Sequence, residues 1–168
     1  MRGLHDAIGS EFLALATFVT LLTSCQPSDM RPGLWLSGEA EARPVEDWSF
    51  SHAEEEVLVE TRTWYGIPHS VTTWGAELGG AFYLPSLYFG EEEYPDGRYW
   101  NSNVARDPRI RVKIGDRLFE GSATLVTDES ELESAMRAFA QKYPTFEEML
   151  QKPGARWVIL RFEPASAG

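Results

Sequence analysis

Positive charge gathers in one part of an acidic chain. The sequence carries 26 acidic and 15 basic residues, a formal net charge of −11. Yet residues 98–117 hold Arg98, Arg106, Arg109, Arg111, Lys113 and Arg117 against only Asp107 and Asp116. Such a cluster can meet an anion, or it can be the solvent face of a strand neutralised by cross-strand acids such as Glu120. Trp64, Trp74, Trp100 and Trp157 lie in or beside predicted elements. Their faces can stack on a planar ring system, or pack a core. Other chemistries find no support. There is no phosphate-cradling glycine loop with its lysine, no dinucleotide fingerprint, no G-x-S-x-G and no H-E-x-x-H. From residue 25 onward the histidines are His52 and His69, which with a single cysteine are too few soft ligands for zinc, and Glu91, Glu92 and Glu93 form a loop run of the kind usually solvated, so no metal site is assigned. The acidic balance argues against nucleic acid, whose phosphates need a basic contact surface.

These residues need elements to hold them. Residues 57–64 alternate as a strand, with Val57, Val59, Thr61 and Thr63 on one face. A turn leads to a second strand over 69–76, a second turn over 77–80, and a third strand over 81–89. Pro85 places that third strand at an edge or a bulge. Residues 98–106 form a short helix that stops before Pro108. Two strands follow around Gly115–Asp116, with Ile110, Val112 and Ile114 inward and Arg109, Arg111 and Lys113 outward. An amphipathic helix over 128–144 has Asp128 as N-cap and Glu131 closing a capping box. Leu132, Ala135, Met136, Phe139 and Tyr143 form its apolar face. Residues 145–152 extend the helical region, and 156–164 form a last strand. The order lacks the strand–helix–strand rhythm of a parallel sheet. It predicts a mainly β, α+β fold: an antiparallel barrel of about six strands with appended helices.

Ahead of this domain, residues 12–22 are an eleven-residue apolar run ending in "LTSC" at Cys25. The run is too short to span a bilayer and has the length of a signal-peptide core. With Cys25 it resembles the lipobox of bacterial lipoproteins. The resemblance implies a signal peptide over 1–24, lipidation of Cys25, and a domain anchored in the bacterial cell envelope on the non-cytoplasmic side. Residues 25–45, rich in Pro, Ser, Gly and Glu, read as a flexible tether, leaving 46–168 as the folded domain.

The segment "WNSNVARDPRI" at 100–110 resembles the W-x-x-N-[LV]-x-x-[ND]-P-x-[VI] signature of the split β-barrel flavin- and deazaflavin-binding proteins, nearest the deazaflavin-dependent nitroreductase branch. The likeness runs from about residue 57 to 164 and includes "VETRTWYGIPHSVTTW" and "RWVILRFEP". It implies that the short helix and the strand before it border a cofactor, FMN or a deazaflavin. Trp100 and Asn103 fall on the helix positions, Ser86 near the ring or phosphate, and Arg98 is the basic residue just ahead of the helix. A phosphate dianion would suit Arg98 and the N–H groups of the helix start. Tyr83, Tyr88 or Tyr99 would supply a proton or shape the pocket. Proteins of this type often pair, which implies a homodimer. Two functions remain open: an oxidoreductase of the nitroreductase kind acting on a small-molecule substrate, and a non-catalytic ligand- or protein-binding module that keeps the barrel without a cofactor.

Overall fold

The computed structural model describes residues 33–43 and 45–165. The signal-peptide segment and Cys25 lie outside the described residues.

Among the described residues, seven strands form one antiparallel sheet in the order β2-β1-β5-β6-β7-β4-β3. They are β1 (Val57–Arg62), β2 (Pro68–Thr73), β3 (Ala76–Leu78), β4 (Ala81–Phe89), β5 (Arg109–Ile114), β6 (Arg117–Leu125) and β7 (Ala155–Pro164). Three helices, α1 (Tyr99–Arg106), α2 (Glu129–Lys142) and α3 (Pro144–Leu150), join them, with a 3-10 turn at Ser49–Ala53. The expected mainly antiparallel α+β fold is present. Its inward alternation is as read: Val57, Val59 and Thr61 on β1 and Ile110, Val112 and Ile114 on β5 are all buried. Pro85 lies on the part of β4 that β3 does not reach, where a missing N–H costs no ladder bond.

One strand more is present than expected, because the predicted second strand breaks at Trp74–Gly75. Helix side chains claim the backbone there. The Tyr143 hydroxyl accepts from the Gly75 N–H at 3.1 Å and donates to the Gly75 carbonyl at 2.9 Å, while Lys142 Nζ donates to the same carbonyl at 2.8 Å. A Cβ on Gly75 would sit 2.4 Å from the Phe82 ring, so glycine alone lets the chain pass this close. The chain restarts as β3.

Two cores flank the sheet. One gathers Trp48, Phe82, Phe119 and Phe162 with the β1 and β5 aliphatics and Trp100 and Val104 of α1. The other joins α2 and α3 to β4 and β7 through Ala135, Phe139, Tyr143, Phe146 and Ile159. Asp128 caps α2 as expected, accepting from the Glu131 N–H at 2.8 Å. The capping box does not close, since the Glu131 carboxylate is drawn away to the Tyr83 hydroxyl at 2.9 Å and to Arg161 at 3.3 Å.

The described part of the expected tether lies against the sheet. Gly33 pairs antiparallel with Ser70 and Ala40 parallel with Leu118, while Leu36 is buried. Basic side chains of β5 and of the start of β6 hold this segment there. Arg111 donates to the Leu36 carbonyl at 3.0 Å and to Glu60 at 3.1 Å, Lys113 reaches Ser37 Oγ, and Arg117 pairs with Glu41. The basic face of β5 is therefore no bare solvent surface. Apolar Leu36 could seal onto it because Glu60 and Arg111 neutralise each other beneath.

Lys142 gives a pH signature of the α2 packing. Burial holds its pKa down to about 8, against 10.5 in an open chain. Between those values the unfolded chain binds more protons than the native one, so stability rises with pH. Above pH 10 the trend reverses, because burial and then Glu131 push Tyr83 up to about 12 and the native state keeps that proton longer. Urea midpoints should therefore climb from pH 8 to 10. Lys142→Met should flatten the climb, and a flat wild-type profile would contradict the docking of Lys142 on Gly75.

Candidate functional site

The sheet nearly closes on itself where β2 meets β4. Thr73 Oγ1 donates to the Pro85 carbonyl at 3.1 Å, yet no ladder joins the two strands. A cavity of about 650 Å³ opens along this seam. Its walls are β2 (His69, Val71, Thr72, Thr73), β4 (Pro85, Ser86, Leu87) and the start of α1 (Arg98, Tyr99, Trp100) with Gly97 before it; Trp74, Trp157, Met149 and one acid, Glu56, complete it.

An aromatic column stands behind the wall. Phe139 stacks on Phe146 with centroids 5.4 Å apart, Phe146 on Trp157 at 4.4 Å, Trp157 on Trp74 at 6.0 Å, and Trp74 on Tyr143 at 4.7 Å. Packing between α2, α3 and β7 thereby fixes two indoles that line the cleft. Sequence reading allowed both a core and a ring-binding role for these tryptophans, and Trp74 and Trp157 serve the first while offering the second. Trp100 is 7 % exposed and does the same from α1.

Arg98 stands at the N-cap of α1, which has no side-chain cap. Its Nε and one Nη donate to the Leu87 carbonyl at 3.1 and 2.9 Å. This fork holds the guanidinium against the cleft wall. Among the described residues no carboxylate comes within ion-pair distance of it, so its charge remains available. None of the three loop glutamates is ion-paired with it, although the Glu92 carboxylate packs beside Gly97 next to it. Glu91, Glu92 and Glu93 are absent from the cleft lining; Glu93 pairs with Arg156 at 3.3 Å, and Arg156 also donates to the Gly90 and Glu92 carbonyls.

Ser86 and Trp100 join Arg98 in the cleft, as the sequence implied, whereas Asn103 does not. Asn103 is buried on the other side of α1, where Nδ2 donates to Thr61 Oγ1 at 3.0 Å and Oδ1 accepts from Arg106 at 3.2 Å. It ties the helix to β1. The buried amide that serves the cleft is Asn101. Its Nδ2 donates to Ser86 Oγ at 2.7 Å and to the Tyr88 hydroxyl, fixing the serine at the wall. Sequence reading passed over Asn101, although a second asparagine beside Trp100 on a short buried helix was a signal. Of the tyrosines, Tyr99 alone lines the cleft; Tyr83 is committed to Glu131 and Tyr88 to Asn101.

Three lining residues keep solvent-shielded polar atoms with no hydrogen-bond partner: His69 Nδ1, Thr72 Oγ1 and Trp157 Nε1. Each such atom costs about 1–3 kcal/mol while unpaired. An available guanidinium and indole walls fit a flat ring system that carries a phosphate. Among the described residues no group of three or more His, Cys, Asp or Glu could hold a metal ion.

An antiparallel sheet curled to a seam, with a helix start and a cleft at the opening, defines a split β-barrel. Solved structures share it. An F420-H2-dependent reductase, FDR-A, superposes with a TM-score of 0.54 at 22 % identity, over 65 % of this chain and 94 % of its own. A conserved hypothetical protein from Mycobacterium tuberculosis gives 0.51 at 20 % identity, over 76 % and 86 %. A pyridoxamine 5'-phosphate oxidase-like protein from Listeria innocua gives 0.50 at 19 % identity, over 70 % and 90 %. No curated protein matches the chain. The model of the F420H(2)-dependent quinone reductase family matches residues 54–156, and the chain belongs to that family.

Proposed function

We propose that this protein is a reductase that binds the deazaflavin F420 in the β2–β4 cleft and reduces a quinone-like acceptor. One observation carries the reading. The family match at 54–156 contains every residue of the cleft wall except Trp157, and Arg98 within it has no acidic partner among the described residues. A bound reduced deazaflavin supplies the hydride. The chain's own residues do the rest. Arg98 and the N–H groups at the start of α1 hold the phosphate, Trp74, Trp100 and Trp157 wall the ring, and Ser86, oriented by Asn101, meets its polar edge. FMN, the other expected cofactor, shares the ring and phosphate but has no comparable support in the family name. The nitroreductase-like activity gives way to a quinone acceptor on the same ground.

Titrating F420 into the protein should quench its tryptophan fluorescence, because three indoles line the cleft. Binding should be tighter than that of FMN. Absence of binding by F420 below about 1 mM, only about 4 kcal/mol, would leave the non-catalytic module as the better account.

Two features of the proposal rest on the sequence outside the described residues and on a neighbour. Cys25 is lipidated after cleavage, so the domain sits on the non-cytoplasmic side of a bacterial membrane. Cys25→Ser should leave the precursor uncleaved, and a native protein retaining Met1 to Ser24 in mass spectrometry would refute the anchor. A homodimer is in keeping with a structural neighbour described as a domain-swapped dimer, at 22 % identity.

A further inference from the structure

The β1–β2 hairpin ends in a tip whose large side chains point into solvent. Trp64 is 81 % exposed, Tyr65 56 % and Ile67 49 %. A turn hydrogen bond from the Gly66 N–H to the Thr63 carbonyl at 3.2 Å, and another from Thr63 Oγ1 to the Ile67 carbonyl, hold the tip in shape. Trp64 and Tyr65 meet edge to face, with centroids 5.3 Å apart. Nothing in the described fold covers them, and they do not line the cleft.

Charge at the base of the tip runs against the charge of the protein. Arg62 ends β1, Arg106 donates to the Arg62 carbonyl, and Arg109 begins the neighbouring β5. All three are exposed; Asp107 pairs with Arg109 at 2.7 Å, and the acids that share a groove with Arg62 and Arg109, Glu60, Glu120 and Glu163, are paired with Arg111 or Arg161, which leaves Arg62 and Arg106 without an ion pair among the described residues. Part of the basic cluster in the acidic sequence is thus gathered at one end of the molecule, around an aromatic tip. Trp and Tyr above a collar of arginines is the chemistry of a membrane–water interface: amphipathic rings at headgroup level, cations on lipid phosphates.

The chain places that end near a bilayer. Gly33 pairs with Ser70, three residues from Ile67, or about 10 Å along β2. Eight residue steps separate Cys25 from Gly33, about 28 Å when fully extended. A lipid on Cys25 would hold the domain close enough for the hairpin tip to reach the membrane.

We infer that the Trp64–Tyr65–Ile67 tip, with Arg62, Arg106 and Arg109, is a membrane-docking surface that seats the domain on an anionic bilayer. This rests on the proposed Cys25 anchor. Docking would turn β2, and with it the cleft residue His69, toward the lipid, so that an acceptor dissolved in the bilayer meets the seam at its edge.

The test places the full chain on vesicles of phosphatidylethanolamine and phosphatidylglycerol in which some acyl chains carry bromine near the headgroups. Bromine quenches only tryptophans in contact with lipid. Wild type should lose part of its fluorescence, and Trp64→Ser, an exposed change that leaves the fold intact, should abolish most of that loss. Arg62→Glu/Arg106→Glu should weaken the quenching at low salt. Equal quenching in wild type and Trp64→Ser would overturn the inference. So would a dimer in detergent that Trp64→Ser dissociates, with no bromine effect, because a second copy would then be the occupant. Mass spectrometry of the same sample reads Cys25 modification independently, so a failed anchor and a failed docking surface are told apart.

Discussion

Phe146→Ala should destabilise the protein by about 3–5 kcal/mol, the cost of a large aromatic cavity in a packed core. Phe146 is fully buried between α3 and β7, between Phe139 and Trp157 in the aromatic column. Its loss removes the apolar burial of a whole ring and the stacking contacts on both sides, and the rigid strand and helix around it cannot close the gap. Urea unfolding should show a lower midpoint with an unchanged slope. Leu150→Ala, four residues on and 38 % exposed, should change stability far less. The same cavity lies directly behind Trp157. F420 binding should therefore weaken in Phe146→Ala even under conditions where the variant remains folded. A loss under about 1 kcal/mol would mean that α3 does not hold the wall of the cleft.

The column illustrates what a single sequence conveys. The 3.6-residue spacing of Ala135, Phe139 and Tyr143 exposed the buried face of α2, and the period-two alternation of Ile110, Val112 and Ile114 exposed that of β5. Both are local signals. The break at Gly75 is not local, because it depends on Tyr143 and Lys142 reaching back from 67 or 68 residues later. Periodicity carried the second strand straight through it. Residues 33–41 were hidden for a similar reason. Their composition is that of a tether, and only their contacts with Glu60, Arg111 and Leu118 show that they line the sheet. At the site, Arg98, Trp100 and Ser86 were legible through the resemblance of 100–110 to a known signature. Asn103 belongs to the same signature yet serves packing, since spacing along an eight-residue helix does not say which buried amide faces the cleft and which faces β1.

Arg98→Ala should weaken F420 binding about ten- to a hundredfold. The lost contact is a charge-assisted one to a phosphate, worth about 1.5–3 kcal/mol, and each 1.4 kcal/mol is a decade in affinity. The fold should tolerate the change, because Arg98 is half-buried at the cleft edge and gives up only its bonds to the Leu87 carbonyl. Arg98→Lys separates charge from geometry. Lysine keeps the cation but not the fork that pins it to Leu87, so it should restore part of the affinity. Arg111→Ala shows the opposite pattern. Arg111 lies outside the cleft and neutralises Glu60, which is 8 % exposed and also accepts from the Leu36 N–H. Removing it strands a buried carboxylate at about 1–3 kcal/mol of stability and should leave the F420 affinity of the folded protein unchanged. Fluorescence titration and urea unfolding of both variants would show the crossed result. If Arg111→Ala weakens binding while Arg98→Ala does not, the phosphate is held elsewhere, and the basic cluster serves the cleft from the far face of the sheet.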